Sequence, residues 1–230
     1  SNCLRRKMDN RGYIDFEIDE GKIIVNETGE AVDVVMRERG TGEKLIENFM
    51  IAANEAVAET FKFISMPLIY RVHGEPSEEK MEVFFRLLHV LNYKVETNLK
   101  KLTPKTIQQV LNEIKEKPES YVLSNQLLRS MQKAIYSENN IGHYGLASKT
   151  YCHFTSPIRR YPDLTVHRSI KKCLLNKNID LETVNDWEKR LPELAEISSV
   201  KERMAVDCER EVEKMKKAEY MEKHIGEEHE

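Results

Sequence analysis

The chain opens in a period of two. Tyr13-Ile14-Asp15-Phe16-Glu17-Ile18, Lys22-Ile23-Ile24-Val25 and Ala31-Val32-Asp33-Val34-Val35 each alternate in the manner of a half-buried strand. Turn-forming Asp19-Glu20-Gly21 and Asn26-Glu27-Thr28-Gly29 separate them, so residues 12–37 predict a small antiparallel meander. From Thr41-Gly42-Glu43 the period becomes helical. A helix is predicted to about Phe63, with Leu45, Phe49, Ala52, Ala53, Ala56 and Val57 on its apolar face. Pro67 ends it, and Leu68 to Val72 reads as extended.

Helical patterns dominate the remainder. Pro76-Ser77 caps a segment whose Met81, Phe84, Phe85, Leu88 and Leu91 form a stripe, and Thr103-Pro104 and Pro118 open two more helices. Residues 121–136 predict an amphipathic helix through Leu123, Leu127, Leu128, Met131 and Ile135. After an extended passage from Gly142 to Phe154, Ser156-Pro157 starts a helix to about Leu175. Leu181 to His224 reads as one or two long helices, broken at Pro192, with charges laced as in Glu213–Lys217. The fold class is α+β, helix-rich, with a small antiparallel β-meander near the N-terminus.

The length, 230 residues, suits one large domain or two small ones. With 40% hydrophobic and 33% charged residues, the composition is globular and excludes disordered, collagen-like and membrane-spanning classes. Cys3, Cys152, Cys173 and Cys208 are scattered, which fits reduced thiols in a cytoplasmic protein rather than a disulfide scaffold or zinc module. The start at Ser1-Asn2 reads as the scar of a removed tag. The net charge of −3 is unevenly spread: residues 139–179 hold seven bases against Asp163, so they carry +6 and the rest of the chain −9. Such a basic segment suits a local polyanion site, or equally a face whose bases pair with acids elsewhere.

That segment holds the densest chemistry. Ser156 as N-cap and Pro157 as first helical residue would leave first-turn amides, Arg159 and Arg160 free for a phosphate. Tyr144, Tyr151, Phe154 and Tyr161 interleave with the bases, as in sites that hold unpaired nucleobases.

The run His-Phe-Thr-Ser-Pro-Ile-Arg-Arg-Tyr-Pro-Asp-Leu-Thr-Val-His-Arg (153–168) resembles the signature of the ribonuclease II/ribonuclease R family, whose catalytic domain is called RNB. Arg11-Gly-Tyr-Ile-Asp-Phe16, the helix around Leu45-Ile-Glu47 to Asn54, Ile69-Tyr-Arg-Val-His73 and Leu128-Arg-Ser-Met131 resemble further family segments in the expected order. The resemblance implies that residues 3–225 are roughly the rear two-thirds of an RNB domain, with 226–230 leading toward an OB-type RNA-binding domain. It implies a processive 3′-to-5′ exoribonuclease that acts on single-stranded RNA with Mg²⁺, without a membrane or a small-molecule cofactor.

By the same resemblance Arg159 grips the scissile phosphate, Phe16 stacks on a terminal base and Glu47 supplies a carboxylate near the 3′ end. The family has two consecutive acids there; this chain has Glu47-Asn48. Tyr151, Ser156, Arg160, Arg168 and Glu209 are the expected RNA-path residues. The family's metal motif, four aspartates in one segment, has no counterpart among the eight aspartates present. The chain alone is therefore expected to be inactive, and a truncated domain to expose apolar surface that drives dimerisation.

Simpler roles compete for several of these residues. A strand phenylalanine is commonly core, and a helical glutamate is commonly solvated. Arg160 can pair with an acid of the fold, and His143, His153 and His167 are spaced for structural bonds rather than metal. A Ser156–His153–Asp163 triad lacks the elbow glycines such a site needs. The alternative function class is a non-catalytic helical module for RNA binding or protein interaction.

Overall fold

The computed structural model describes residues 1–16, 21–37, 39–93, 102–176 and 180–227. Glu17 to Glu20 of the expected first strand and turn lie outside them, as do Glu38, Lys177 and residues 228–230 of the expected linker. The chain forms two compact units, Ser1–Ile18 with Gly42–Ser198 and Asp19–Thr41 with Ser199–Glu230.

The first unit begins with helix α1 (Asn2–Arg11), which the sequence pattern does not reveal. Only Met8 of α1 is buried, so no apolar stripe betrays it; Arg5 bonds to Asp9 and Asp15 instead. Gly12 caps α1 in a left-handed conformation, φ 101°. A side chain there would lie 2.7 Å from the backbone nitrogen of Lys105, which adds a second demand for glycine. Tyr13 to Phe16 follow as irregular extended chain, not the predicted strand, because Tyr13 and Ile14 are both buried rather than alternating.

Helix α2 (Thr41–Phe63) spans the expected range, but it buries Asn48, Ile51, Asn54, Ala58 and Phe61. Leu45 and Phe49 of the expected face are exposed. Strand β3 (Tyr70–Val72) pairs antiparallel with β4 (Ile135–Ser137), with Arg71 opposite Tyr136. The expected helix over 121–136 is accordingly shorter. Helix α5 (Ser120–Ser130) stops so that 135–137 can satisfy the edge of β3.

Helices α3 (Glu78–Val90), α4 (Pro104–Ile114) and α5 pack Met81, Phe84, Leu88, Ile107, Val110, Leu123 and Leu127 into one cluster with Ile14 and Tyr144. Thr103 caps α4 by accepting the Thr106 N–H at 3.2 Å. A second cluster joins Phe61 and Ala58 of α2 to Leu68, Ile69, Val72, Tyr136, Cys152, Val166, Leu191 and Ala195. Helix α6 (Tyr161–Ser169) runs into a wider π-helical turn at Ile170–Leu175.

Helix α7 (Leu181–Met221) is continuous through Pro192, so the expected break there does not occur. In the second unit, β1 (Gly21–Val25) and β2 (Ala31–Met36) form a two-stranded antiparallel hairpin. Asn26 Oδ1 organises its turn by accepting the N–H groups of Thr28 and Glu30 at 3.1 and 2.9 Å. Glu219 accepts the Ala31 N–H at 3.0 Å, and Lys216 donates to the Gly29 carbonyl. On this part of α7, Glu211 pairs with Lys214 and Lys216 with Glu219, both spaced i, i+3.

Candidate nucleic-acid interface

The basic signature segment lies in the first unit and is held from both ends. At its start, Asn54 of α2 donates to the Tyr151 hydroxyl at 2.8 Å and accepts the Phe154 N–H at 2.9 Å. The Asn54 carbonyl also receives the Cys152 thiol at 3.4 Å, and Tyr151 O accepts from Arg71 N of β3 at 2.9 Å. This explains why α2 turns Asn54 inward: its amide serves polar groups of an irregular segment that β3 meets only at Tyr151.

At its end the segment departs from expectation. The helix begins at Tyr161, with Pro162 in its first turn and Arg160 as its extended cap, not at Ser156-Pro157. Residues 156–160 form a separate turn, in which the Ser156 carbonyl accepts Arg159 N at 3.3 Å and Arg160 N at 3.1 Å. The cause is Asp163. From the first turn of α6 its fully buried carboxylate accepts Ser156 N–H at 2.8 Å and Arg160 Nη2 at 2.8 Å. An acid in a helix's first turn also suits the helix dipole. The amides of 159 and 160 are thus engaged, and the cationic group the turn presents to solvent is the Arg159 side chain.

Arg159 is exposed, and its guanidinium has no hydrogen-bond or ion-pair partner among the described residues. Ile158 beside it is fully exposed. Arg160, by contrast, has only 17% of its side chain exposed and pairs with Asp163 inside the fold. Arg168 lies on the surface of α6 with its guanidinium 5.7 Å above the exposed Tyr161 ring, donating to that hydroxyl at 3.3 Å. Tyr151 is buried, so it supports the segment from behind.

His73, His143, His153 and His167 make bonds within the fold. Gly145 N–H donates to His73 Nδ1 at 2.9 Å, so His73 Nε2 carries the proton and donates to the Gln132 carbonyl at 2.7 Å. His143 Nδ1 accepts Leu146 N–H at 3.2 Å, and His153 Nδ1 shares a 2.9 Å bond with the Tyr136 hydroxyl. His167 donates to the Phe154 carbonyl at 2.9 Å while its ring stacks on Phe154 at 4.4 Å. Burial pushes His143 down to about 3, helped by His73 and Arg71. Burial likewise pushes His153 down to about 2, aided by the positive charges of Arg160, Arg71 and Arg159. Three arginines therefore act on one histidine, and Arg71, whose guanidinium lies 4.6 Å over Tyr136, is a member the motif reading passed over. Its position in Ile69-Tyr-Arg-Val-His73 was the available signal.

The other candidates are set by other contacts. Glu47 accepts the Tyr13 hydroxyl at 3.2 Å, and Tyr13 lies under Arg5, which is 4.9 Å from its ring. Asn48 beside it is buried, so at this pair of positions it is Glu47 that retains partial exposure. Glu47 and Asn54 lie two turns apart on α2, roughly 10 Å along its axis. Phe16 is half-buried against the cluster of Ile14, Met81 and Phe84. Arg11 locks this region with a two-pronged pair to Glu55 of α2, one prong at 3.1 Å, and a bond to Leu146 O at 3.2 Å. Glu209 is exposed on α7 in the second unit. Among the described residues, no three His, Cys, Asp or Glu side chains converge as a metal ion would require. No helix among them is long and apolar enough to cross a membrane.

A family profile described as "RNB domain" matches residues 1–176. Ribonuclease R 1 of Lactococcus lactis is 50% identical over 229 residues, covering 100% of this chain and 28% of that protein. Ribonuclease R of Thermotoga maritima is 45% identical, covering 99% of this chain and 32% of its own length. A solved structure of Mycoplasma genitalium RNase R in complex with ribose-methylated single-stranded RNA matches with a TM-score of 0.93 at 32% identity, over 98% of this chain and 35% of that one. The chain spans about a third or less of the length of these relatives. By sequence and by fold alike, it belongs to the RNB domain family.

Proposed function

We propose that this chain is the RNA-gripping part of a cytoplasmic 3′-to-5′ exoribonuclease that hydrolyses single-stranded RNA to nucleoside monophosphates. The observation that carries the reading is Arg159, an exposed guanidinium without a protein partner among the described residues, raised on a turn that buried Asp163 fastens. Such a fork meets two phosphate oxygens at once and neutralises charge that grows as the phosphate is attacked. The similarity to ribonuclease R proteins, one of them solved with single-stranded RNA, supports the same reading.

In this reading Phe16 stacks on the terminal base, and Glu47, steadied by Tyr13, faces the 3′ end. The Arg168–Tyr161 pair offers the next phosphate a cation and the next base a ring. Ser156, Arg160 and Tyr151 contribute by shaping the segment, and Glu209, on the second unit, is proposed as a separate RNA contact. Mg²⁺, which family membership implies, finds no fitting donor set among the described residues. The chain by itself is therefore proposed to bind RNA without cleaving it.

Incubating the chain and the whole protein separately with a 3′-extended single-stranded RNA and Mg²⁺ tests this. Nucleotide release from the 3′ end by the whole protein alone is the expected result; release by the chain alone would refute the inactive-piece reading. The alternative of an interaction module draws on the second unit, where α7 exposes Val200, Met204, Val212 and Met215. It moves ahead if neither preparation releases nucleotides.

A further inference from the structure

We propose that Asp163 is a positioning residue for Arg159, and that Arg160 is its internal counter-ion rather than a group that touches RNA; this rests on the role given to Arg159 above. Two adjacent arginines of one basic segment are put to opposite uses. Arg160 turns inward, pairs with Asp163 at 2.8 Å and keeps 17% of its side chain exposed. Arg159 turns outward. The difference between them is made by a carboxylate with 0% exposure, too deep to meet a substrate itself.

Asp163 Oδ1 binds both ends of the turn, the Ser156 amide before Arg159 and the Arg160 guanidinium after it. The Ser156 carbonyl closes the loop by accepting the amides of 159 and 160. The bonds that close the 156–160 turn thus run through Asp163 or through the Ser156 that Asp163 holds, and the Arg160 carbonyl accepts Leu164 N–H at 3.3 Å where the turn enters α6. Neutralising Arg160 also removes a competing cation beside Arg159, so a phosphate has one fork to choose. Asn54 fixes the other end of the segment by accepting the Phe154 N–H.

The test is a double-mutant cycle in the whole protein, with kcat and KM measured on a 3′-extended single-stranded RNA. Asp163→Asn keeps the shape and one acceptor but loses the charge that orders Arg160. It should lower kcat about 10- to 100-fold while KM moves less than about threefold. In an Arg159→Ala background the same change should lower kcat less than about twofold, because the residue it positions is gone. Should Asp163→Asn fail to fold, Arg160→Lys, which keeps a buried charge pair but not the fork, goes through the same cycle with the same expectation.

Equal losses in both backgrounds, or no loss in either, would overturn the positioning role while leaving Arg159 as the phosphate-binding group. If Arg159→Ala alone leaves kcat unchanged, the function given to Arg159 falls first and the positioning role falls with it.

Discussion

Asn54 of α2 holds the signature segment by its side-chain amide, donating to Tyr151 Oη at 2.8 Å and accepting Phe154 N–H at 2.9 Å. One buried side chain therefore fixes the helix that carries Glu47 to the chain that leads to Arg159. Asn54→Ala leaves the Phe154 amide and the Tyr151 hydroxyl unpaired within the fold. It should destabilise the protein by about 2–4 kcal/mol, read from denaturant unfolding. A loss under about 0.5 kcal/mol would show that other groups take over both bonds.

RNA binding by the chain should weaken as salt rises, since phosphate contacts release counterions. Arg159→Ala should lower the slope of log affinity against log salt by about one, and Arg160→Ala should change it by less. The opposite order would mean that the inward and outward arginines have been wrongly assigned.

Acid should weaken the fold through His143 and His153. Their folded pKa values, about 3 and about 2, lie below the ordinary 6.5. The unfolded chain therefore binds protons first as pH drops below about 6.5, and stability is lost progressively from there toward pH 3. Each histidine contributes a slope of up to about 1.4 kcal/mol per pH unit. His153→Gln, which keeps an acceptor for Tyr136 but cannot titrate, should flatten the dependence measured between pH 6 and 4. An unchanged slope would mean that other groups govern acid unfolding.

Thiol reactivity reports the packing directly. Cys3 and Cys208 are exposed, whereas Cys152 and Cys173 are buried, and burial pushes both inner thiols up. An aromatic disulfide reagent should modify two thiols per native chain quickly and the other two only on unfolding. A third fast thiol would place Cys152 or Cys173 outside the core described above.

The sequence pattern revealed most where apolar residues alone decide the structure. Met81, Phe84 and Leu88, or Leu123 and Leu127, recur at helical spacing and are buried as that spacing requires. It failed where polar bonds decide. Helix α1 is tied down by Arg5 and Arg11 rather than by a stripe. The inward face of α2 is set by Asn54, whose partners lie 97 and 100 residues away.

The sequence pattern puts the start of α6 at Ser156-Pro157, but Tyr161-Pro162 is a comparable local signal, and the tertiary position of Asp163 decides for the latter. The sequence brings Arg159 forward as a candidate through the motif, and the structure shows its side chain exposed. The division of labour between Arg159 and Arg160 was not, because it depends on which guanidinium reaches a buried acid.

The most direct measurement compares the whole protein with its Arg159→Ala variant on a 3′-extended single-stranded RNA, recording single-turnover rate and RNA affinity separately. A group that neutralises charge on the reacting phosphate should, when removed, lower the rate about 100-fold or more while affinity falls less than about tenfold. Equal losses in the two quantities would reduce Arg159 to an ordinary binding contact and contradict the role proposed for it.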